Sequence, residues 1–311
     1  MRIAVIDLGT NTFNLLIAEV SSINHYRILY SSKTPVQLGK GGINKQLITS
    51  DAINRGVETI GCFLQRIAIY NVAKIYAYAT SAVRGAKNGK EFTDKIKNEF
   101  NLDINIISGD KEAELIYYGV KLGVSLNEEV SLIMDIGGGS TEFIICNKYQ
   151  IFWKKSFDIG AARILETFQP SDVITLQEKE NIETYFDKEL QELFHAIELY
   201  QAKVLIGSSG SFDTFAEIIA HKFYTPSIVE NITEYTFNLP DFFNIHEQLL
   251  NSTKEERLLT KGLIPMRVDM IVIASVFTNY ILKKGDISKL RLSAYSLKEG
   301  VLNEVINGVL V

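Results

Sequence analysis

Ile3-Ala4-Val5-Ile6-Asp7-Leu8-Gly9-Thr10-Asn11-Thr12-Phe13-Asn14-Leu15-Leu16-Ile17 aligns without a gap on Ser131-Leu132-Ile133-Met134-Asp135-Ile136-Gly137-Gly138-Gly139-Ser140-Thr141-Glu142-Phe143-Ile144-Ile145. Each copy is an apolar strand ending at an aspartate, a glycine-bearing turn with hydroxyls, and a second apolar strand. Such a turn exposes successive backbone N–H groups, which form a concavity for an anion. Asp, Gly and Thr are also ordinary hairpin residues, so one copy alone carries little weight. Two copies in similar strand settings point to duplication at domain scale. Asp7, Gly9, Thr10, Asn11 and Thr12 make the first cradle. Asp135, Gly137, Gly138, Gly139, Ser140, Thr141 and Glu142 make the second. Three consecutive glycines let a backbone approach a phosphate closely, because no Cβ intervenes. The strand-end aspartates can hold a hydrated Mg²⁺ or orient a water. In a hairpin Asp135 and Glu142 can both face a cleft, although Glu142 also fits a solvated strand position.

Outward from these hairpins the chain alternates strands and helices. Arg2–Asp7, Phe13–Val20 and His25–Tyr30 read as strands, and a glycine-rich loop follows at Val36–Gly42. Ile53, Val57, Ile60, Leu64 and Ile67 recur at helical spacing within Asp51–Tyr70, with Thr49 or Ser50 as cap. Lys74–Tyr78 is a short strand, Gly89–Phe100 a charged helix and Ile104–Ile107 a strand. Ser108 or Asp110 caps a helix to about Leu122. The second half predicts strands at Val130–Asp135, Glu142–Asn147, Gln150–Phe157, Lys203–Ile206 and Leu290–Ser293. Its predicted helices are Ala161–Thr167, Leu176–Leu199, one from Phe212, Gly262–Leu282 and Leu297–Val311, with His221–Pro240 poorly patterned. Two similar halves of alternating elements predict two α/β domains, 1–125 and 126–296, with the last helix returning to the first.

The 311 residues fit about two domains, and 46% hydrophobic content is that of a packed globular chain. Asp7 interrupts the first apolar run too early for a signal-peptide core, and Met270–Phe277 is much too short to span a bilayer. A cytoplasmic protein without a membrane partner is the expectation. Cys62 and Cys146 stand alone in apolar surroundings and read as buried thiols. The four histidines are scattered, which excludes a histidine-based metal phosphohydrolase site. A net charge of −5 argues against a nucleic-acid partner. A polyanionic substrate must then be met by local groups in a cleft. Lys40, Lys45, Lys87 and Arg267 are candidates, and each equally fits a solvated surface.

Three further features carry chemistry. Gly207-Ser208-Ser209-Gly210-Ser211 joins a strand to a helix, whose first N–H groups attract anions; it also reads as a plain turn with serine caps. Glu112 lies in the first turn of its helix, where acidic residues are favoured electrostatically in any case. Arg84 follows a strand, from which an arginine can reach a phosphate bidentately or form a surface salt bridge.

Together these segments resemble the exopolyphosphatase/guanosine-pentaphosphate phosphohydrolase (Ppx/GppA) family of the actin-like ATPase superfamily. The resemblance rests on Asp7–Thr12, Ala79-Thr80-Ser81-Ala82-Val83-Arg84, Ile107-Ser108-Gly109-Asp110-Lys111-Glu112-Ala113, Asp135–Glu142, Gly207–Ser211 and Gly262–Asp269, in order over nearly the whole chain. It implies two actin-like (ribonuclease H-like) domains around a cleft. It further implies Glu112 as catalytic base, Arg84 as the phosphate-binding arginine, and Asp135 and Glu142 as carboxylates of a metal-bearing turn. The implied cofactor is Mg²⁺, with Mn²⁺ as substitute, and the implied substrates are inorganic polyphosphate or guanosine pentaphosphate. Family members are often dimers. Lys298 stands where the family usually has arginine, which leaves the role of that side chain open. An actin-like small-molecule kinase and a non-catalytic binder of guanosine tetra- or pentaphosphate are the rival expectations.

Overall fold

The computed structural model describes residues 1–22 and 25–310. β1 (Arg2–Leu8), β2 (Thr12–Ser22) and β3 (His25–Pro35) form an antiparallel meander. After α1 (Ser50–Ile69), β4 (Lys74–Ala79) pairs parallel to β1. α2 (Ser81–Arg84) and α3 (Gly89–Phe100) lead to β5 (Asn105–Ile106), the outermost strand, giving the order β3-β2-β1-β4-β5. α4 (Gly109–Gly123) then crosses to the second half.

The pattern repeats. β6 (Ser131–Ile136), β7 (Thr141–Cys146) and β8 (Ile151–Phe157) form the second meander. α5 (Ala161–Phe168), α6 (Leu176–Glu189) and α7 (Gln191–Tyr200) precede β9 (Val204–Ser208), which runs parallel to β6. α8 (Gly210–Phe223), β10 (Glu234–Thr236), α9 (Leu239–Leu250), α10 (Lys254–Leu259) and α11 (Met270–Lys284) lie between β9 and its other neighbour, β11 (Lys289–Ser293). The order is β10-β11-β9-β6-β7-β8, and α12 (Leu297–Ile306) ends the described fold. Each half thus has a three-strand meander extended by parallel strands.

Strand alternation decides what lies where. Ile3 and Val5 turn to one face of the first sheet, and Ala4, Ile6 and Leu8 to the other. Ile133 joins the core of Ile3 and Val5, whereas Leu132 and Met134 face a separate outer core. The shared middle core holds α4 and α12, so the molecule stacks helices, sheet, helix pair, sheet, helices. α4 and α12 meet backbone to backbone. A Cβ on Gly119 would fall 1.9 Å from the Ser296 carbonyl oxygen, and one on Gly300 would fall 1.8 Å from that of Leu115. This α/β architecture brings the two hairpins to one cleft.

Several sequence expectations change. The helix expected over Leu176–Leu199 is two helices, because fully buried Leu190 (φ −105°, ψ 17°) leaves helical geometry and turns the chain onto the core. The apolar helix expected from Gly262 starts only at Met270. Pro265 disfavours helix at Ile264, and Gly262 adopts φ +84°. Poorly patterned 221–240 contains β10 and the start of α9, the latter capped by Asn238, whose Oδ1 accepts from the Asp241 N–H at 3.3 Å. Cys62 is exposed rather than buried, since α1 turns Val57, Ile60, Phe63 and Ile67 inward instead. Cys146 is buried. The last helix ends at Ile306, and Val311 lies outside the described residues.

Candidate active site

The two hairpins are built alike. Asp7 stands opposite Asn14 and Asp135 opposite Glu142, in the same register. Each turn is closed by one bond: Gly9 N–H to the Thr12 carbonyl at 3.1 Å, and Gly137 N–H to the Ser140 carbonyl at 3.0 Å. The tips meet across the cleft. A Cβ on Gly138 would strike the Asn11 side chain at 2.4 Å, and one on Gly139 would strike the Ser81 hydroxyl at 2.6 Å. Glycine there allows the approach that any larger residue would block.

Between the hairpins lies a cavity of about 160 Å³. Asp7, Gly9, Thr10, Asn11 and Thr12 line it from one side, and Asp135, Gly137, Gly138, Gly139, Ser140 and Glu142 from the other. Glu112, Ser209, Gly210, Ser211 and Arg267 also line it. The remaining expected residues are placed elsewhere. Thr141 donates its hydroxyl to the Ile159 carbonyl at 2.6 Å, and Ser208 donates to Asp135 Oδ2 at 2.8 Å. Gly207 packs under Phe212, where a Cβ would lie 2.0 Å from the ring. Arg84 is not on the cavity wall. It binds the Ile107 carbonyl at 3.1 Å and Glu112 Oε2 at 2.7 Å, and so acts on the cleft through Glu112. Lys40, Lys45 and Lys87 are absent from the wall.

Four carboxylates crowd this space with few cations. Burial pushes Asp7 up to about 6, against the hydrogen bond from Asn14 at 2.8 Å and the charge of Lys298. Burial, then the charge of Asp135, raises Glu142 to about 7, although the hydroxyls of Ser140 and Ser156 donate to it at 2.8 and 2.7 Å. Asp135 is raised by burial and restrained by Ser296 and Ser208. Glu112 is held well above the usual carboxylate range by burial first and Glu142 second, with Arg84 opposing. Desolvation thus dominates at all four. Among the described residues no three His, Cys, Asp or Glu side chains gather into a metal cage. That composition does not suit a zinc site. It does suit Mg²⁺, which takes one or two carboxylates and leaves its other positions to water and phosphate.

Among the wall residues that sequence reasoning did not assign to the site, Ser81, Lys298 and Lys33 carry polar chemistry. Ser81 begins α2, and its buried hydroxyl has no partner among the described residues, as befits a donor waiting for a ligand. Lys298 is buried, pairs with Glu299 at 2.7 Å and attracts Asp7. Lys33 comes from β3 and bonds Asp213 of α8 at 2.5 Å. Ser81 already stood in the Ala-Thr-Ser-Ala-x-Arg segment. Nothing in the local sequence marks Lys33.

Comparison with known proteins gives the family. The Ppx/GppA phosphatase family matches residues 16–307. A crystal structure of an exopolyphosphatase from Cytophaga hutchinsonii is 41% identical, covers 99% of this chain and 98% of that one, and superposes with a TM-score of 0.94. A Haemophilus influenzae protein provisionally named an exopolyphosphatase is 28% identical over 97% of this chain and 90% of its own length. The guanosine-5'-triphosphate,3'-diphosphate pyrophosphatase of Pseudoalteromonas atlantica is 26% identical over 96% of this chain, which spans only 57% of that relative. With its paired hairpins, its buried acid and a match over nearly its whole length, this chain belongs to the Ppx/GppA phosphatase family.

Proposed function

We propose that this member of a family of phosphoanhydride hydrolases is a Mg²⁺-dependent exopolyphosphatase, removing orthophosphate from the end of inorganic polyphosphate. One observation carries the reading. A buried glutamate, Glu112, faces a small cavity walled by two hairpin turns, and among the described residues no aromatic ring lines that cavity. A terminal phosphoryl group fits such a space, whereas a guanine base would lack a stacking partner.

The chemistry follows from these groups. Water attacks the terminal phosphorus, the bridging P–O bond breaks, and the shortened chain leaves with the electron pair. Glu112 takes the proton of the attacking water. Burial raises its proton affinity, so its carboxylate is a stronger base than an ordinary one. Arg84 holds Glu112 in place through the 2.7 Å ion pair. The N–H groups of the two turns, with the hydroxyls of Thr10 and Ser81, hold the phosphoryl oxygens. Asp135 and Glu142, with Asp7 opposite, would hold Mg²⁺, oriented by the serines behind them. When bound, the ion offsets charge on the phosphoryl oxygens. Positioning and electrostatics of this kind are most of what phosphoryl transfer requires.

Guanosine pentaphosphate hydrolysis is the second reading, favoured by the likeness to the Pseudoalteromonas atlantica enzyme. The test is phosphate release from purified protein with Mg²⁺, on long-chain polyphosphate and guanosine pentaphosphate in parallel, beside Glu112→Gln. Release from polyphosphate that the variant loses supports the proposal. Release from the nucleotide alone transfers the function to the second reading. ATP-dependent product formation without hydrolysis supports the kinase, and tight nucleotide binding without turnover supports the regulator.

A further inference from the structure

The cleft is latched at both rims. On one rim the Gly41 N–H donates to Glu166 Oε1 at 2.8 Å, and Asn44 Nδ2 donates to the Thr167 hydroxyl at 3.2 Å. On the other, Lys33 Nζ of the first half meets Asp213 of the second at 2.5 Å. A chain longer than the cavity must leave it through one rim.

The two rims differ in where their cations lie. The first presents the carboxylate of Glu166 and a glycine loop whose Lys40 and Lys45 are exposed and off the cavity wall. The second presents Lys33 and Arg267, both on the cavity wall, beside the N-terminus of α8. The Arg267 guanidinium lies flat on Gly210, where a Cβ would come within 1.5 Å of Nη2. Among the described residues that guanidinium has no hydrogen-bond partner, although it feels the charge of Asp213. Asp213 therefore offers its charge to two cations of the cavity wall, Lys33 and Arg267.

We propose that Lys33 is a specificity residue for the polyphosphate chain beyond the scission point, and that Asp213 is a placeholder the chain displaces. The inference rests on the exopolyphosphatase reading. The Lys33 and Asp213 side chains retain 41% and 30% exposure, so their pair is weak and easily exchanged. A phosphate oxygen offers Lys33 the same charge-assisted bond. Exchange frees both cations for the chain and opens its exit between them, along the rim where no carboxylate remains engaged.

The test compares Lys33→Gln, Asp213→Asn and the double variant with wild type. Each is assayed on tripolyphosphate and long-chain polyphosphate for KM and kcat, with direct binding of fluorescently labelled long-chain polyphosphate beside it. Loss of one charge-assisted contact predicts a KM for the long chain raised about tenfold in Lys33→Gln, with a smaller rise for tripolyphosphate. Asp213→Asn lowers the long-chain KM, and the double variant loses that gain, because the two residues act on one contact. Equal shifts on both chain lengths, or a gain in Asp213→Asn that survives without Lys33, overturns the latch. If wild type releases no phosphate from either polyphosphate, the functional reading fails. The binding measurement still decides the latch, because unchanged affinity in all three variants rejects it.

Discussion

The two hairpins have the same backbone and opposite chemistry. In the first, Asp7 faces an amide, Asn14, and a single 2.8 Å hydrogen bond satisfies it. In the second, Asp135 faces another acid, Glu142, and each accepts from two serine hydroxyls. The strand beside each hairpin differs in the same sense: Tyr78 stands next to Asp7, and Ser208 next to Asp135. Duplication kept the turn that offers N–H groups to an anion. Divergence placed the acidic pair, with the donors that orient it, in one copy only. Backbone geometry is therefore the shared part of this site, and the side chains divide the labour.

The largest expected effect lies outside both hairpins. If the turns alone sufficed, Glu112 would be dispensable. Glu112→Gln is expected instead to lower turnover about 10³-fold, within the usual range for a general base, with an unchanged circular dichroism spectrum. Near-wild-type phosphate release would remove Glu112 from the mechanism.

Next comes the asymmetry itself. Glu142→Gln should cost about 10²-fold in activity while raising the melting temperature in the absence of divalent cations, because it removes a buried, like-charged carboxylate. Asn14→Asp, which makes the first hairpin resemble the second, should lower that melting temperature, since it adds a fifth carboxylate beside Asp7. Equal responses from the two variants would mean that the hairpins do not differ in role.

The same asymmetry predicts a pH dependence. Asp7 and Glu142 have native values of about 6 and about 7, above their ordinary 3.8 and 4.5. The native state then binds more protons than the unfolded chain between these limits. Their contribution to stability is present below about pH 4 and is lost as pH rises through 6 to 7. Without divalent cations, thermal melts should fall from pH 5 to pH 8, and Mg²⁺ should restore most of the loss at pH 8 by binding the native state. A flat profile would show that these acids are not strained by burial.

The smallest effect separates the two strand-to-helix turns. Ser209, which precedes α8, is held at φ +69° and ψ −179°, a region that favours glycine. Thr80, which precedes α2, sits at φ −116°. Ser209→Gly should relieve strain of about 1 kcal/mol and raise the melting temperature by a few degrees, whereas Thr80→Gly should lower it. Loss of activity in Ser209→Gly without loss of stability would show that its 3.1 Å bond to the Ile136 carbonyl aligns the turn.

Local pattern made much of this legible. Continuous apolar runs marked β1, β2, β6 and β7, and helical spacing marked α1. Ser108, as cap, marked the start of α4, its hydroxyl accepting from the Lys111 N–H at 3.2 Å. Where local signals conflicted with packing, they misled. The break at Leu190 reflects a demand of the core and no strong helix breaker in the sequence. Cys62 sits in an apolar run, yet the face it occupies is fixed by which side of α1 meets the sheet. Ser208 and Thr141 belong to the right segments but spend their hydroxyls on Asp135 and the Ile159 carbonyl.

The sequence by itself determined the duplicated hairpin, the α/β alternation and the family, and offered Glu112 and the acidic pair as candidates. Those features depend on residue type at short spacing, which local sterics and hydrogen bonding translate directly into turns and strands. Only the tertiary structure decided that Arg84 serves Glu112 rather than the cavity, that Ser81 and Lys298 line it, and that Lys33 reaches Asp213 across 180 residues of chain. Contacts of that kind depend on how two sheets stack around α4 and α12, and no local pattern encodes that stacking.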